Sequence, residues 1–314
     1  VVTNMGGLPR NIRMAKAPPI KCQGIKTKLV PFIFRNIRWD ESKGGRWIEP
    51  FLGSGVVVLN LAPERALLTD TNQHIIHFYQ AIQQGEMTPA AVREYLFHAG
   101  RQLEQQGENY YYEVRDRFNR TGSPFDFLFL NRACFNGLMR FNQNGEFNVP
   151  FCRKPHRFTP AYITKITNQI SWVSCQMRGK EWEFRVASWE EALRVASPDD
   201  FVYLDPPYIG RHTDYYNHWD MNDTLRLAQA MRQLPCGYAL SMWLENRYRR
   251  NGLIDMLWDD LELRVYRHFY HIGATEELRN WMLEALLIRP GFAVPIHAQA
   301  ELGSHRQSHQ LSLL

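Results

Sequence analysis

Two stretches of this sequence carry residue types and spacings that can do chemistry. The first is Asp205-Pro206-Pro207-Tyr208, which closes the apolar run Phe201 to Leu204. A short apolar run reads as a buried strand, and open α/β sheets place their ligands at the ends of such strands. Two adjacent prolines remove two backbone donors, a loss that is costly inside a sheet and cheap where a strand ends at a site. The corner suits one reaction. An aromatic amine is a weak nucleophile because its lone pair is delocalised into the ring. If Asp205 and the Pro206 carbonyl accept its two protons, the nitrogen is drawn towards tetrahedral geometry and its lone pair turns to an electrophilic methyl group. Tyr208 offers a ring on which a base taken out of a duplex can stack. A plain Asp-Pro turn is the alternative.

The second stretch is Glu49-Pro50-Phe51-Leu52-Gly53-Ser54-Gly55, followed by Asp70 at the end of Ala66-Leu67-Leu68-Thr69. Glycines between a strand and a helix let backbone approach a ligand closely, and an acid ending the next strand accepts hydrogen bonds from a ribose. The spacing is not the three-glycine dinucleotide fingerprint, and the turn lacks the Gly-Lys-Ser of a phosphate-cradling loop. A nucleoside without pyrophosphate, such as S-adenosylmethionine, fits better, although an ordinary tight turn carries the same residues.

The elements that must position these residues are legible around them. WIEPFLGSGVVVLNLA reads as strand, glycine turn and helix start, and ALLTDTNQ as a strand ending in an acid. Residues 75 to 118 have helical spacing, whereas 120 to 155 shift towards Asn, Gly, Arg and Phe, a composition typical of functional loops. FVYL, GYALSMW and LEALLIRPG read as strands and DTLRLAQAMRQL as a helix. This alternation predicts an α/β fold with a mostly parallel sheet, formed by residues 19–80 and 188–291, and with 81–187 inserted as a DNA-facing unit. Residues 1–18 and 292–314 read as loosely held extensions.

Composition narrows the class. With 314 residues, 45% hydrophobic and 13% aromatic, the chain can bury a large core. It has no run of eighteen apolar residues and no export signal. Five dispersed cysteines without a CxxC pair, and eleven histidines without ligand spacing in a helix, point to a reduced cytoplasmic protein with no metal site. A net charge of +5 fits a polyanionic partner without requiring one.

Taken in order, Lys21 to Lys26, EPFLGSG, TDTN, LNRACFNGLMRFNQNGEFNVPF and DPPY resemble the Dam-type (D12 class, α-group) DNA adenine N6-methyltransferases over residues 19 to 291. The resemblance implies a Rossmann-like S-adenosylmethionine-dependent methyltransferase sheet with an inserted, mainly helical target-recognition domain, and no metal or covalent intermediate. It implies that Lys26, Glu49, Phe51, Gly53, Gly55, Asp70 and Asp205 hold S-adenosylmethionine, with Ser188 and Trp189 against its adenine. Cys22 departs from the pattern: this chain reads KCQGIK where the family commonly has KWAGGK.

The resemblance also places Lys21, Arg132, Phe135, Asn136, Leu138, Arg140 and Asn142 against double-stranded DNA. Physically, arginine can grip guanine with two bonds, asparagine can pair with a base edge, and an aromatic wedge can fill the gap left by a flipped base. Ala133-Cys134-Phe135 stands where relatives often carry Tyr-Gly-Tyr, so GATC is a lead for the target and no more. The leading expectation is an adenine-specific enzyme of bacterial or phage origin, solitary or paired with a restriction enzyme. Transfer to the exocyclic amine of cytosine, transfer to a protein glutamine, and a catalytically silent DNA-binding regulator are the rivals. Finally, Gln310-Leu311-Ser312-Leu313-Leu314 resembles the peptide by which DNA-processing proteins hold the replication sliding clamp, with Gln310, Leu311, Leu313 and Leu314 as anchors.

Overall fold

The structure is a computed structural model that describes residues 12, 14–22, 24, 26–208, 219–246, 250–269 and 281–295. Its strands are β1 (Trp47–Glu49), β2 (Arg65–Asp70), β3 (Glu181–Val186), β4 (Phe201–Leu204), β5 (Gly237–Asn246), β6 (Glu262–Phe269) and β7 (Trp281–Ile288). The helices are α1 (Val30–Asn36), α2 (Val56–Leu61), α3 (Gln73–Gln83), α4 (Pro89–Gln106), α5 (Glu108–Thr121), α6 (Pro124–Ala133), α7 (Pro160–Met177), α8 (Trp189–Arg194), α9 (Met221–Arg232) and α10 (Leu253–Leu257).

One sheet takes the order β3-β2-β1-β4-β5-β7-β6. Neighbours from β3 to β5 are parallel, and β7 alone runs against β5 and β6. The chain leaves β1 outward to β2 and β3, then returns to β4 on the other side of β1. The strand order therefore reverses between β1 and β4, and a crevice opens at their carboxyl ends. The register Trp47↔Phe201 and Ile48↔Val202 sets those two ends side by side. Glu49 with its glycine turn and Asp205 with its prolines are thus brought together from sequence-distant motifs.

Both faces of the central strands are covered, which is why β4 reads as a continuous apolar run. Trp47, Phe201 and Tyr203 point to the layer that holds α1, α2 and α3, and Trp47 stacks on Phe201 with ring centres 5.3 Å apart. Ile48, Val202 and Leu204 pack on the opposite layer, against α8, α9 and α10. α4 to α7 lie in sequence between β2 and β3, and their apolar faces are continuous with the first of these layers.

Three expectations need correction. β3, placed in the insertion by the 81–187 boundary, is instead the sheet edge beside β2, with Trp182 and Phe184 inward and Glu181, Glu183 and Arg185 outward. Its polar half masked the strand pattern, and the helical insertion ends before residue 181. The supposed loops of 120–155 contain α6, whose segment Asp126 to Ala133 is buried on all sides. Within the supposed loose ends, two described residues are held to the body: Asn60 bonds the backbone of Lys16 at 2.8 and 3.0 Å, and Ala293 bridges to Ile37. The proposed clamp anchors Gln310, Leu311, Leu313 and Leu314 lie outside the described residues, as does most of the polar stretch 211–220 after the Asp205 motif. No helix among the described residues is long and apolar enough to cross a membrane.

Candidate active site

The crevice between β1 and β4 is a cleft of about 290 Å³. Its floor is the turn after β1. Gly53 and Gly55 take φ values of +49° and +65°, left-handed conformations that glycine adopts without a Cβ penalty, and Gly55 caps α2. Asp70, at the end of β2, accepts the Gly53 N–H at 2.9 Å and the Asn72 N–H at 2.9 Å. Each carboxylate oxygen thereby spends one lone pair on the loops and keeps another for a ligand. Burial raises the Asp70 carboxyl, and these two backbone bonds work against that rise.

Rings form one wall. Trp189 opens α8 behind the Ser188 cap, which forms a reciprocal capping box with Glu191. Phe51 meets Trp219 edge-on at 5.5 Å, and Trp219 approaches Trp189 at 6.3 Å, with the Arg226 guanidinium 5.8 Å over the Trp189 ring. Ser188, Trp189, Asp223 and Arg226 all line the cleft. Cys22 fills the N-terminal edge, where it would stand 3.5 Å from a Cβ on Gly53. Burial, with the charges of Asp70 and Asp205 beside it, pushes the Cys22 thiol up to about 12, so it is a neutral wall at physiological pH.

At the opposite end stand the motif residues. Asp205 pairs with Lys26 at 3.0 Å, and the Lys26 ammonium also donates to the Tyr208 hydroxyl at 2.7 Å and to the Gly24 carbonyl at 3.2 Å. Pro206 is buried and Pro207 lines the cleft. Burial alone would lower the Lys26 ammonium, but Asp205, Tyr208 and Glu284 hold it well above its usual value. Burial raises the Asp205 carboxyl while Lys26 pulls it down. Glu49 is 3% exposed and accepts the Trp47 indole N–H at 2.7 Å. Burial pushes it up to about 8. It is therefore mostly protonated at neutral pH, which spares the cleft one more negative charge.

The segment expected to meet DNA is a looped hairpin pinned by the bridges Cys134↔Phe151 and Phe141↔Phe147. Phe135 is 51% exposed, an unusual position for so large a ring, and Asn136 beside it is also exposed. Leu138 and Arg140 are half-buried, and Met139 reaches into the cleft. Arg140 donates to the Asn148 side chain at 2.8 Å and to its backbone carbonyl at 3.2 Å. Lys21 leans on this loop: a Cβ at Gly137 would come within 2.4 Å of its Cδ. Both backbone groups of Lys21 are held by the Asn131 amide, at 2.7 and 2.8 Å.

Two expected DNA contacts are placed otherwise. Arg132 is 4% exposed and spends its guanidinium on the Pro19 carbonyl at 2.6 Å, the Gln169 side chain at 2.8 Å and the Tyr162 hydroxyl at 3.3 Å. It sits at the buried end of α6, so it staples the N-terminal segment and does not face a ligand. Asn142 commits its amide to the hairpin tip, accepting from the Asn144 and Glu146 backbones and donating to the Glu146 carboxylate. Sequence reasoning missed Met139, Trp219, Asp223, Arg226 and Tyr203 as cleft residues. The one local signal was at α9, where Asp220 and Asp223 form a capping box just after Trp219. A cap marks a helix start but says nothing of what the preceding ring faces. Among the described residues no group of His, Cys, Asp and Glu is arranged to hold a metal ion.

Known proteins resemble the chain over most of its length. The chain is 32% identical over 293 residues to a DNA adenine methylase of Salmonella typhi, covering 88% of this chain and 96% of that one. It is 31% identical over 240 residues to a DNA adenine methylase of Serratia marcescens, 72% and 82% of the two chains. It is 28% identical over 261 residues to the Type II methyltransferase M.MjaIII of Methanocaldococcus jannaschii, 75% and 86% of the two. The family model for D12 class N6 adenine-specific DNA methyltransferases matches residues 23–280, and the chain, with its Asp205 motif and glycine turn meeting at one crevice, belongs to that family.

Proposed function

We propose that the cleft binds S-adenosylmethionine and that the enzyme methylates N6 of an adenine flipped out of double-stranded DNA, with GATC as the lead target. The observation that carries this reading is the meeting of Asp205 and Lys26 with the Gly53–Gly55 turn and Asp70 in one cleft at adjacent strand ends. The donor set fits the cofactor. Asp70 retains lone pairs for ribose hydroxyls, Phe51 and Trp189 offer ring faces for adenine, and the carboxylates favour a sulfonium cation. When bound, S-adenosylmethionine supplies the electrophilic methyl.

The chain's own residues do the rest. Asp205 and the Pro206 carbonyl accept the amine protons and aim the nitrogen lone pair, while Tyr208 stacks on the flipped base. Phe135 fills the gap that the base leaves, and Lys21, Asn136, Leu138 and Arg140 meet the duplex around it. Residues 81 to about 180 act as the target-recognition unit, and the enzyme works on DNA in the cytoplasm of a bacterium or of a phage-infected cell. The sequence of the last five residues supports a tether to the sliding clamp. That tether requires a labelled Ser304–Leu314 peptide to bind purified clamp at tens of micromolar and to lose binding on Gln310→Ala.

The test of the main reading is direct. Incubation with plasmid DNA and labelled S-adenosylmethionine, followed by sequencing of methylated bases, should return N6-methyladenine at one short motif. Methylcytosine, or no S-adenosylmethionine binding in calorimetry, would overturn it.

A further inference from the structure

Behind the Asp205 motif stands a buried carboxylate that neither cofactor binding nor amine contact accounts for. Glu284 lies on β7, the antiparallel strand, opposite Trp243 of β5, and is 1% exposed. A carboxylate so deeply buried is costly unless it is hydrogen-bonded and paired. One of its partners comes from the motif itself: the Tyr208 hydroxyl donates to Glu284 Oε2 at 3.1 Å. The same hydroxyl oxygen accepts from Lys26 at 2.7 Å, and Lys26 pairs with Asp205 at 3.0 Å. Glu284, Tyr208, Lys26 and Asp205 therefore form one line, in which a single ammonium lies between two carboxylates and a phenol relays the far one.

We propose that Glu284 is a positioning residue for methyl transfer: through the Tyr208 hydroxyl it shares the Lys26 ammonium with Asp205, fixing the Tyr208 ring and keeping the Asp205 carboxylate a strong acceptor. This rests on the reading of Asp205 as the acceptor of the amine protons. Lys26 divided between two acidic ends donates less completely to either. With Glu284 neutral, the ammonium commits to Asp205, and the oxygen that must hold the amine becomes a poorer base. The two hydrogen bonds also hold the Tyr208 hydroxyl oxygen in place, which fixes where the end of the ring stands beside Asp205. The other groups around Asp205 are Cys22 on the N-terminal segment, Glu49 on β1, and Tyr203 on β4. Cys22 is neutral and Glu49 mostly protonated at neutral pH, and Tyr203 is held as a phenol by burial. Among the described residues, Lys26 and Glu284 are thus the neighbours whose fields bear on its basicity. Their directions agree: burial raises Asp205, Lys26 lowers it and Glu284 raises it.

The test uses the full-length enzyme with plasmid DNA and S-adenosylmethionine. Glu284→Gln keeps the acceptor for the Tyr208 hydroxyl and removes the charge. It is expected to lower kcat on the order of tenfold, with the KM for S-adenosylmethionine within about twofold, and to move the acid limb of kcat to lower pH. Tyr208→Phe keeps the ring and cuts the line, so it should lower kcat and shift the limb in the same direction. The double variant should lose no more than the worse single one, because both break one unit. An unmoved acid limb, or losses that multiply in the double variant, would overturn the assignment, since a packing role predicts both. Should Glu284→Gln fail to fold by thermal unfolding, the acid limb of Tyr208→Phe decides alone. Adenine methylation by the parent separates the two levels: its absence refutes the proposed function, while an active parent with an unmoved limb refutes only Glu284.

Discussion

Replacement of Asp205 tests the chemistry and the fold at once, because the residue has two attachments. Its carboxylate neutralises Lys26, whose side chain is 5% exposed, at 3.0 Å. Asp205→Ala leaves that ammonium hydrogen-bonded to the neutral Tyr208 hydroxyl and Gly24 carbonyl. Stranding a buried charge costs about 3–5 kcal/mol of stability. Asp205 is 24% exposed, so water partly refills the gap and the lower end of that range is expected. Asp205→Asn, which keeps volume and one acceptor oxygen, should cost less. The catalytic loss is separate. One preorganised acceptor in a dry site is worth about 2.7–4 kcal/mol, or roughly a hundredfold to a thousandfold in turnover. Labelled methyl transfer to duplex DNA under single-turnover conditions reads that loss, and fluorescence anisotropy reads DNA affinity, which should stay within about threefold because the ion pair of Asp205 is with Lys26 and not with the residues proposed to meet the duplex. Thermal unfolding reads the stability term. Turnover of Asp205→Ala within about threefold of the parent would refute the role, as would loss of DNA binding in step with loss of transfer in folded protein.

Other substitutions separate the roles of neighbouring residues. Arg140→Ala should relax discrimination at one base pair by about 1–3 kcal/mol, measured by competing duplexes at fixed salt, whereas a phosphate contact would weaken all sequences evenly and flatten the salt dependence. Arg132→Ala should destabilise the fold by about 1–3 kcal/mol for each of its partners left unpaired, while DNA affinity per folded molecule stays unchanged; a selective loss of DNA binding at equal melting temperature would return Arg132 to the interface. Glu49 makes stability depend on pH in a stated direction. Its folded carboxyl, pushed up to about 8 from 4.5, binds a proton that the unfolded chain has released. Its contribution is therefore greatest at or below about 4.5 and declines as pH climbs to about 8, and Glu49→Gln should flatten that part of the urea-denaturation profile.

What the sequence determined by itself was the two motifs and the central strands that carry them. β4 is buried on both faces, so Phe201 to Leu204 had to be continuous and apolar, and the paired prolines had to follow where the strand ends. Gly53 and Gly55 carry left-handed φ values that few other residues adopt, and such demands leave single-letter traces. Amphipathic strands with one exposed face leave weaker traces, which is why β3 and β6 went unread: Glu181, Glu183 and Arg185 alternate with its buried tryptophan and phenylalanine.

The tertiary structure alone decided which polar residues face a ligand and which face each other. Arg132 and Arg140 are the same letter eight positions apart. One is sealed at the end of α6 against Pro19 and the other stands half-buried on the hairpin that follows, because α6 is buried on every side and carries its last turn inward. Trp219 and Arg226 enter the cleft because α9 packs beside α8, and Glu284 meets Tyr208 because an antiparallel strand was threaded beside β5. Contacts of this kind join residues 36 to 182 positions apart, at distances set by the packing of whole layers, and no local pattern of residues encodes them.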